Sequence, residues 1–180
     1  AWSAVISTGK IQEGQKVLIH GAAGGVGSMA VQLAKSMGAY VIGTGAGSQA
    51  TYTKDLGADE FIDYQTQDFT KLVSGVDLVV NLTGPKTLEQ SYQVLKAGGR
   101  ITSVNAMPDP ALAAKYQIEA TYAYGDLSHE ALEGILKLYS EGKLSVHVAK
   151  TYPFELEQVK QSHIDFEAGA NQGKKIITFS

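Results

Sequence analysis

The chain has 180 residues, of which 44% are hydrophobic and 18% charged, with a formal net charge of −3 and no cysteine. A chain of this size can bury a sizeable core as one large or two small domains. The acidic balance and the scattered lysines argue against a nucleic-acid surface, and the absence of cysteine excludes disulfides and thiolate zinc sites.

The start of the chain carries no sign of targeting. No apolar run reaches the roughly 18 residues needed to cross a bilayer, and the first residues lack the basic start of a signal peptide. The first residue is Ala1 rather than Met, so we expect a fragment or a processed product. For the parent protein we expect a cytoplasmic location and neither a membrane nor a nucleic-acid partner.

The first predicted strand, turn and helix form the most informative unit of the sequence. An apolar run at 17–20 leads into a glycine-dense turn, and residues 25–37 carry the apolar spacing of a helix. This layout suits a dinucleotide pyrophosphate, because free N–H groups and the positive dipole end of the helix attract phosphate oxygens. The alternative is an ordinary tight turn of an α/β protein.

The glycines of this turn match the dinucleotide pattern G-x-G-x-x-G imperfectly. Gly24 and Gly27 occupy its second and third positions, but Ala22 occupies the first. Gly21, Gly24 and Gly27 also give a regular three-residue spacing.

Strands and helices then alternate along most of the chain. The predicted strands are residues 17–20, 40–44, 60–64, 76–82, 100–105 and 117–124, and the predicted helices between them are residues 25–37, 50–56, 68–74 and 87–96. Gly38, Gly57 and the pair Gly98 and Gly99 stand where helix C-caps are expected. The alternation predicts an α/β fold with a doubly wound (Rossmann) parallel sheet of about six strands and helices on both faces.

The regular alternation of strands and helices ends after a predicted loop at 107–110. Ser128 is a plausible N-cap for a helix at 131–139. An extended stretch at 144–152, a helix at 156–166 and a strand at 175–179 complete the prediction. This tail either extends the sheet or belongs to a lobe outside the chain. We expect a dinucleotide-binding domain at 10–143 after a leading helix at 1–9, and a C-terminal segment at 144–180.

The end of the second predicted strand indicates which nucleotide is bound. An NAD site places Asp or Glu there, about 20 residues past the first glycines, but residues 43–49 contain no acid. Hydroxyls and backbone N–H groups in this stretch would donate hydrogen bonds to a 2′-phosphate, which favours NADP(H). The alternative is that residues 45–48 form only a flexible loop.

Two other features have weaker functional interpretations. Tyr92 and Lys96 form a Y-x-x-x-K string, which in short-chain dehydrogenases transfers a proton, but here it runs into a predicted helix end and is interpreted as an ordinary surface pair. No histidines stand at metal spacing. Among the four histidines, His20 has the best position for a functional role, because it ends the first strand just before the turn.

Four strings together carry a family resemblance over nearly the whole chain: HGAAGGVG, QLAKSMGAYVIGT, LGADEFIDY and LKAGGRI. The sequence resembles the zinc-independent quinone oxidoreductases, the zeta-crystallin-like group of the medium-chain dehydrogenase/reductase superfamily. The resemblance implies NADPH as cofactor and a quinone or conjugated enone as small-molecule substrate. It also implies that a substrate lobe precedes this cofactor-binding half, so the catalytic residues are expected outside the chain.

The resemblance also implies which residues contact the cofactor. The expected set is Gly21, Ala23, Gly24, Gly25, Val26, Gly27, Thr44, Ser48, Tyr64, Leu82 and Asn105. The turn residues would hold the pyrophosphate, Ser48 and Tyr64 would lie at the adenosine end, and Leu82 and Asn105 would touch ribose and nicotinamide. A module that binds the nucleotide without turnover, an enoyl-reductase domain of a larger synthase, and association as a homodimer stay open.

Overall fold

The computed structural model describes residues 1–169 and 171–179. The strands of the main sheet are β1 (Lys16–His20), β2 (Tyr40–Gly45), β3 (Glu60–Asp63), β4 (Val76–Asn81), β5 (Leu95–Ser103) and β6 (Glu119–Tyr122). The helices that accompany it are α1 (Gly27–Ser36), α2 (Ala50–Asp55), α3 (Phe69–Leu72), α4 (Pro85–Ser91), α5 (Pro110–Tyr116) and α6 (His129–Ser140). A π-helical turn at Ser3–Ser7 precedes β1, and 3₁₀ turns lie at Gly47–Gln49 and Tyr92–Val94.

All neighbouring strands of the main sheet are parallel, in the order β3-β2-β1-β4-β5-β6. The chain moves outward from β1 to β3, then returns to place β4 on the other side of β1. This confirms the predicted doubly wound sheet. The connections that follow β1 and β4 run to opposite faces of the sheet at this switch point, where such folds form a ligand crevice.

Alternate residues of the central strands pack against the helices on opposite faces of the sheet. Val17 and Ile19 join a buried cluster that includes α1, whereas Leu18, between them, joins a cluster with residues of α4. This period-two division explains why the sequence of the central strands is almost continuously apolar. Gly38 and Gly57 follow α1 and α2 with φ of +76° and +109°, the left-handed conformation expected of C-caps.

Two parts of the predicted element pattern are wrong. Gly98 and Gly99 lie inside β5 rather than at the end of a helix, because α4 ends at Ser91 and β5 begins at Leu95 with a register shift opposite β4. Helix α5 was not predicted, although its start is specified locally: the Asp109 side chain accepts from Ala111 N, and Pro110 occupies the first turn.

The Tyr92 and Lys96 pair does not share a helix face, because the first lies in a 3₁₀ turn and the second in β5. Tyr92 is also buried rather than on the surface, and its hydroxyl accepts from Asp109 N at 2.9 Å. Lys96 instead forms an ion pair with Asp77.

The C-terminal segment forms β7 (Val148–Pro153), α7 (Leu156–Glu167) and β8 (Lys174–Thr178). Strands β7 and β8 pair in parallel as a two-stranded sheet, with α7 as the crossover. The structure therefore excludes the alternative in which the tail extends the main sheet.

Candidate functional site

The turn between β1 and α1 presents free backbone donors at the switch point of the sheet. Gly24 N donates to Gly21 O, and Ser28 N donates to Gly24 O. Within the described chain, the amides of Gly25, Val26 and Gly27 donate to no backbone carbonyl. Unpaired N–H groups at a helix start, combined with the helix dipole, form an anion-binding site.

The glycines of the turn serve different purposes. Gly21 has φ +73°, which favours glycine, and a Cβ on Gly27 would lie 2.0 Å from Gly21 O, so the fold itself requires both. A Cβ on Gly24 would meet only Gly21 O, at 3.5 Å, and a Cβ on Gly25 would meet the flexible end of Lys174 at 3.1 Å. The fold therefore does not require glycine at position 24, whereas a Cβ at position 25 would also lie 3.4 Å from Gly173 O and would displace the Lys174 side chain. A ligand that approaches the backbone would explain the glycine at position 24.

A cavity of about 370 Å³, here named the turn cleft, lies directly over these amides. Its walls come from the glycine turn, from the ends of β4 and β5, and from the C-terminal segment. Leu82 and Asn105, predicted from two separate strand ends, meet here, and Asn105 Nδ2 donates to Leu82 O at 2.7 Å. Lys174 lies opposite the turn, beside Gly25.

A second cavity of about 550 Å³, here named the β2 cavity, adjoins the turn cleft at Gly21. Its lining includes Thr44 and Tyr64, two of the predicted residues, and also His20 and Thr87. The two cavities share Gly21 and lie side by side at the carboxyl ends of β1, β2 and β4; together they are here named the groove. An extended ligand with an anionic middle fits such a groove.

The C-terminal segment holds the two loops of this groove together. Gly173 N donates to Ala23 O at 2.9 Å in the glycine turn. Gln49 Nε2 donates to Asn171 O at 2.9 Å, and Gln172 Nε2 donates to Ser48 O at 3.3 Å in the loop after β2. Ala23 and Ser48 belong to the predicted set, but Gln49 and the C-terminal residues 171–173 do not. The only signal near the latter in the sequence is the adjacent basic pair Lys174 and Lys175.

The remaining predicted residues have less direct positions. The Ala23 side chain is buried, so this residue faces the site only through its backbone. Ser48 is exposed and lies outside the described lining of both cavities.

An acid that the sequence did not indicate lies close to the loop after β2. A Cβ on Gly47 would lie 2.7 Å from Asp63 Oδ2 at the end of β3. The absence of an acid within residues 43–49 therefore does not make this region free of negative charge.

The donor set fits a dinucleotide. Main-chain amides, a lysine and a glycine without a packing role suit a pyrophosphate, and the β2 cavity has room for a nucleoside. In the part of the chain that the structure describes, no three His, Asp or Glu side chains form a cluster that could hold a metal ion. Nor is any helix there long and apolar enough to cross a membrane.

The strand order and the groove define the chain as a dinucleotide-binding domain of the Rossmann type. A family described as zinc-binding dehydrogenase matches residues 56–177, more than half of the chain. The chain belongs to this family, as the cofactor-binding half of a quinone-oxidoreductase-like member of the medium-chain dehydrogenase/reductase superfamily. Membership of this oxidoreductase family supports the assignment of a nicotinamide cofactor to the chain.

Individual relatives show how much of a longer protein the chain represents. A structure of Escherichia coli quinone oxidoreductase complexed with NADPH superposes with a TM-score of 0.87 at 26% identity, covering 98% of this chain and 61% of that one. Acryloyl-coenzyme A reductase of Metallosphaera sedula is 29% identical over 93% of this chain and 52% of its own length. Spectinabilin polyketide synthase system protein NorB of Streptomyces orinoci is 30% identical over 99% of this chain and 9% of its own length.

Proposed function

We propose that the chain binds NADPH for an oxidoreductase that reduces a quinone or a conjugated enone. The observation that carries the proposal is the row of unpaired amides at Gly25, Val26 and Gly27. They lie beside Gly24, a position at which the fold does not require glycine. The match to a quinone oxidoreductase complexed with NADPH supports the same cofactor.

The pyrophosphate would lie in the turn cleft, where it receives hydrogen bonds from the turn amides. Lys174 faces the turn beside Gly25 and would contribute a positive charge to the same phosphates. Leu82 and Asn105 would contact the nicotinamide ribose, because they line the cleft at the ends of β4 and β5. In this proposal the C-terminal segment is part of the cofactor site.

The adenosine would lie in the β2 cavity, with Thr44 and Tyr64 on its walls and Ser48 at its rim. We infer NADPH rather than NADH because the loop after β2 offers a hydroxyl and small residues where NAD sites present an acid. Asp63 opposes this preference, since its carboxylate lies beside Gly47. We therefore expect NADPH to bind more tightly than NADH by a moderate rather than an extreme factor.

The bound cofactor would supply a hydride to an electron-poor carbon. The residues of this chain would orient the nicotinamide from one side and keep water away from it. The absence of cysteine removes thiolate ligands for zinc, which suits an activated acceptor that needs little Lewis-acid help. A zinc-dependent alcohol oxidation by this chain with stoichiometric metal would contradict this part of the proposal.

We further propose a division of the parent protein. Residues 10–143 form the cofactor domain after the leading helix at 1–9, and residues 144–180 pack with a substrate lobe. The chain spans about half the length of curated relatives such as the acryloyl-coenzyme A reductase. Large apolar side chains exposed on α6, α7 and the small sheet, among them Leu136, Leu156 and Phe166, support such a contact.

A second candidate is an enoyl-reductase domain within a larger synthase. The match to a polyketide synthase protein, of which the chain covers 9%, favours this context specifically. The cofactor and the fold would be the same. The residues that surround the chain in the parent protein would distinguish the two candidates.

The testing experiment is a calorimetric titration of the 180-residue chain with NADPH and NADH, followed by turnover with NADPH and a simple quinone. We expect saturable binding with a preference for NADPH. Binding with quinone turnover supports a self-sufficient enzyme, and binding without turnover supports a module that needs the substrate lobe. No binding of either nucleotide would overturn the proposed function, and a preference for NADH would overturn the interpretation of residues 43–49.

A further inference from the structure

His20, the last residue of β1, is a buried polar side chain with both ring nitrogens occupied. Its relative exposure is 1%, with Nδ1 3.0 Å from Thr44 Oγ1 and Nε2 3.0 Å from Ser91 Oγ. The Phe69 ring packs edge-on against the imidazole with 4.6 Å between ring centroids. Burial lowers the His20 pKa to about 3, so the ring is neutral at physiological pH and adds no charge to the groove.

The hydrogen-bond partners assign one tautomer to this imidazole. Ser91 Oγ donates its only hydrogen to Thr87 O, at 2.6 Å. Ser91 Oγ must therefore accept from His20 Nε2–H, which leaves Nδ1 as an acceptor for the Thr44 hydroxyl. The ring can satisfy both neighbours only in this form.

These bonds lead to three different walls of the proposed cofactor groove. The Thr44 carbonyl accepts from Gly21 N at 3.1 Å and from Ala22 N at 3.0 Å, which fixes the start of the glycine turn. The Ser91 bond leads through α4 to Thr87, which lines the β2 cavity together with His20 and Thr44. The imidazole thus bonds directly to the end of β2, through the Thr44 hydroxyl, and to α4, through Ser91. It reaches the glycine turn indirectly, because the Thr44 carbonyl accepts from Gly21 N and Ala22 N.

We propose that His20 is a positioning residue for the adenosine half of the dinucleotide, setting the spacing between the end of β2 and α4 and the start of the glycine turn. This inference rests on the proposed function, because it assigns the β2 cavity to the adenosine. His20 then acts on affinity through Thr44 and α4 and not through charge on the phosphates. Ser91 acts in the same way, although it lies outside the described lining of the cavity.

The test measures binding of 2′,5′-ADP, which carries only the adenosine half, to the 180-residue chain and its variants by calorimetry, with melting temperature recorded in parallel. His20→Phe keeps a ring but removes both hydrogen bonds, and we expect about tenfold weaker binding. Ser91→Ala, which touches neither cavity, should weaken binding about threefold. His20→Asn, whose amide oxygen can accept from Thr44, should recover part of the affinity lost in His20→Phe.

Thr102→Val is the matched control. Thr102 Oγ1 is buried and donates to Ala4 O at 2.9 Å, outside the described lining of both cavities. It should lower the melting temperature while leaving the 2′,5′-ADP affinity within about twofold, because it removes one buried hydrogen bond elsewhere.

Each outcome then decides the proposal. Equal affinity in folded His20→Phe and Ser91→Ala, or a loss no larger than in Thr102→Val at matched stability, would overturn it. If His20→Phe does not fold, Ser91→Ala alone decides between a selective loss and none. If the unmodified chain binds neither 2′,5′-ADP nor NADPH, the proposed function and this inference fail together; if it binds and the variants bind equally, only this inference fails.

Discussion

The packing of the protein itself does not explain why residue 24 is a glycine. A Cβ there would make an ordinary contact with Gly21 O, at 3.5 Å, and no left-handed φ requires glycine. Gly27 differs, because a Cβ would overlap Gly21 O at 2.0 Å. Substitution can therefore separate a ligand requirement from a folding requirement within one turn.

We predict that Gly24→Val lowers NADPH affinity at least about a hundredfold, because the new side chain blocks the approach of the pyrophosphate to the amides. The fold should persist, with a melting temperature close to that of the unmodified chain. Gly84→Val is the control, since a Cβ there meets nothing within 4 Å and its φ is −94°. Unchanged NADPH affinity in Gly24→Val by titration calorimetry would remove the glycine turn from the proposed site.

Lys174 allows a test of the electrostatic part of the site. We predict that Lys174→Gln weakens NADPH binding about tenfold at low salt and makes the affinity less sensitive to added salt, because one cation no longer faces the phosphates. Lys160→Gln, which removes an exposed lysine paired with Glu157, serves as the control and should change neither quantity. Titrations at two salt concentrations provide the measurement, and an unchanged salt dependence in Lys174→Gln would contradict the role given to Lys174.

Some residues of the site could be predicted from the sequence and others could not. The glycine turn was predictable because strand, turn and helix are contiguous and their chemistry is local. Lys174 and Asp63 were not, since they reach the groove only through the folded chain, from β8 and from the end of β3. His20 could be selected by its place before the turn, but its partner Ser91 comes from helix α4, far away in the sequence.

Among the elements, helix α7 is joined to the small sheet through the Asp165 carboxylate. Its Oδ2 accepts from Lys150 Nζ at 2.6 Å and Tyr152 OH at 2.7 Å, while Oδ1 accepts from Gln161 Nε2 at 2.6 Å. The Lys150 ammonium and these hydrogen bonds hold the pKa of Asp165 well below its usual range. A carboxyl group with a depressed folded-state pKa stabilises the fold above its unfolded-state pKa and loses that contribution as the pH falls.

We predict that acidification from pH 7 opens the β7–α7–β8 segment progressively below about pH 5, before the main sheet is lost. Hydrogen exchange of the β7 and β8 amides at stepped pH values, corrected for the intrinsic pH dependence of amide exchange, measures this opening. Asp165→Asn should raise exchange in this segment at pH 7 and flatten its dependence on pH. Glu157→Gln, which removes the acid of an exposed pair, should leave the exchange profile unchanged; an equally steep profile in Asp165→Asn would assign the acid sensitivity to other groups.

The accuracy of the element predictions followed from the range of the interactions involved. The central strands β1, β2 and β4 were predicted because their apolar runs reflect burial on both faces. Gly98 and Gly99 were misassigned because a glycine pair has the same local signal at a helix end and in a strand with a register shift. Only the pairing of β5 with β4, which depends on tertiary structure, distinguishes the two.

At the scale of the whole molecule, the walls of the groove include three segments far apart in sequence that are joined by hydrogen bonds: residues 21–27, residues 44–49 and residues 171–174. Hydrogen bonds from the last segment reach both of the others, at Ala23 O and at Ser48 O. A ligand that binds this groove should therefore stabilise the three segments together, because opening any one of them disrupts the same site.

We predict that NADPH at about one hundred times its Kd stabilises the chain by about 2.7 kcal/mol and raises the Tm by several degrees. Hydrogen exchange should slow in all three segments at once, whereas α5, which lies away from the groove, should exchange at an unchanged rate. Protection limited to the glycine turn would mean that residues 171–174 are not part of the cofactor site. Protection spread evenly over the described chain, α5 included, would point to general stabilisation through global unfolding rather than to a site built from these segments.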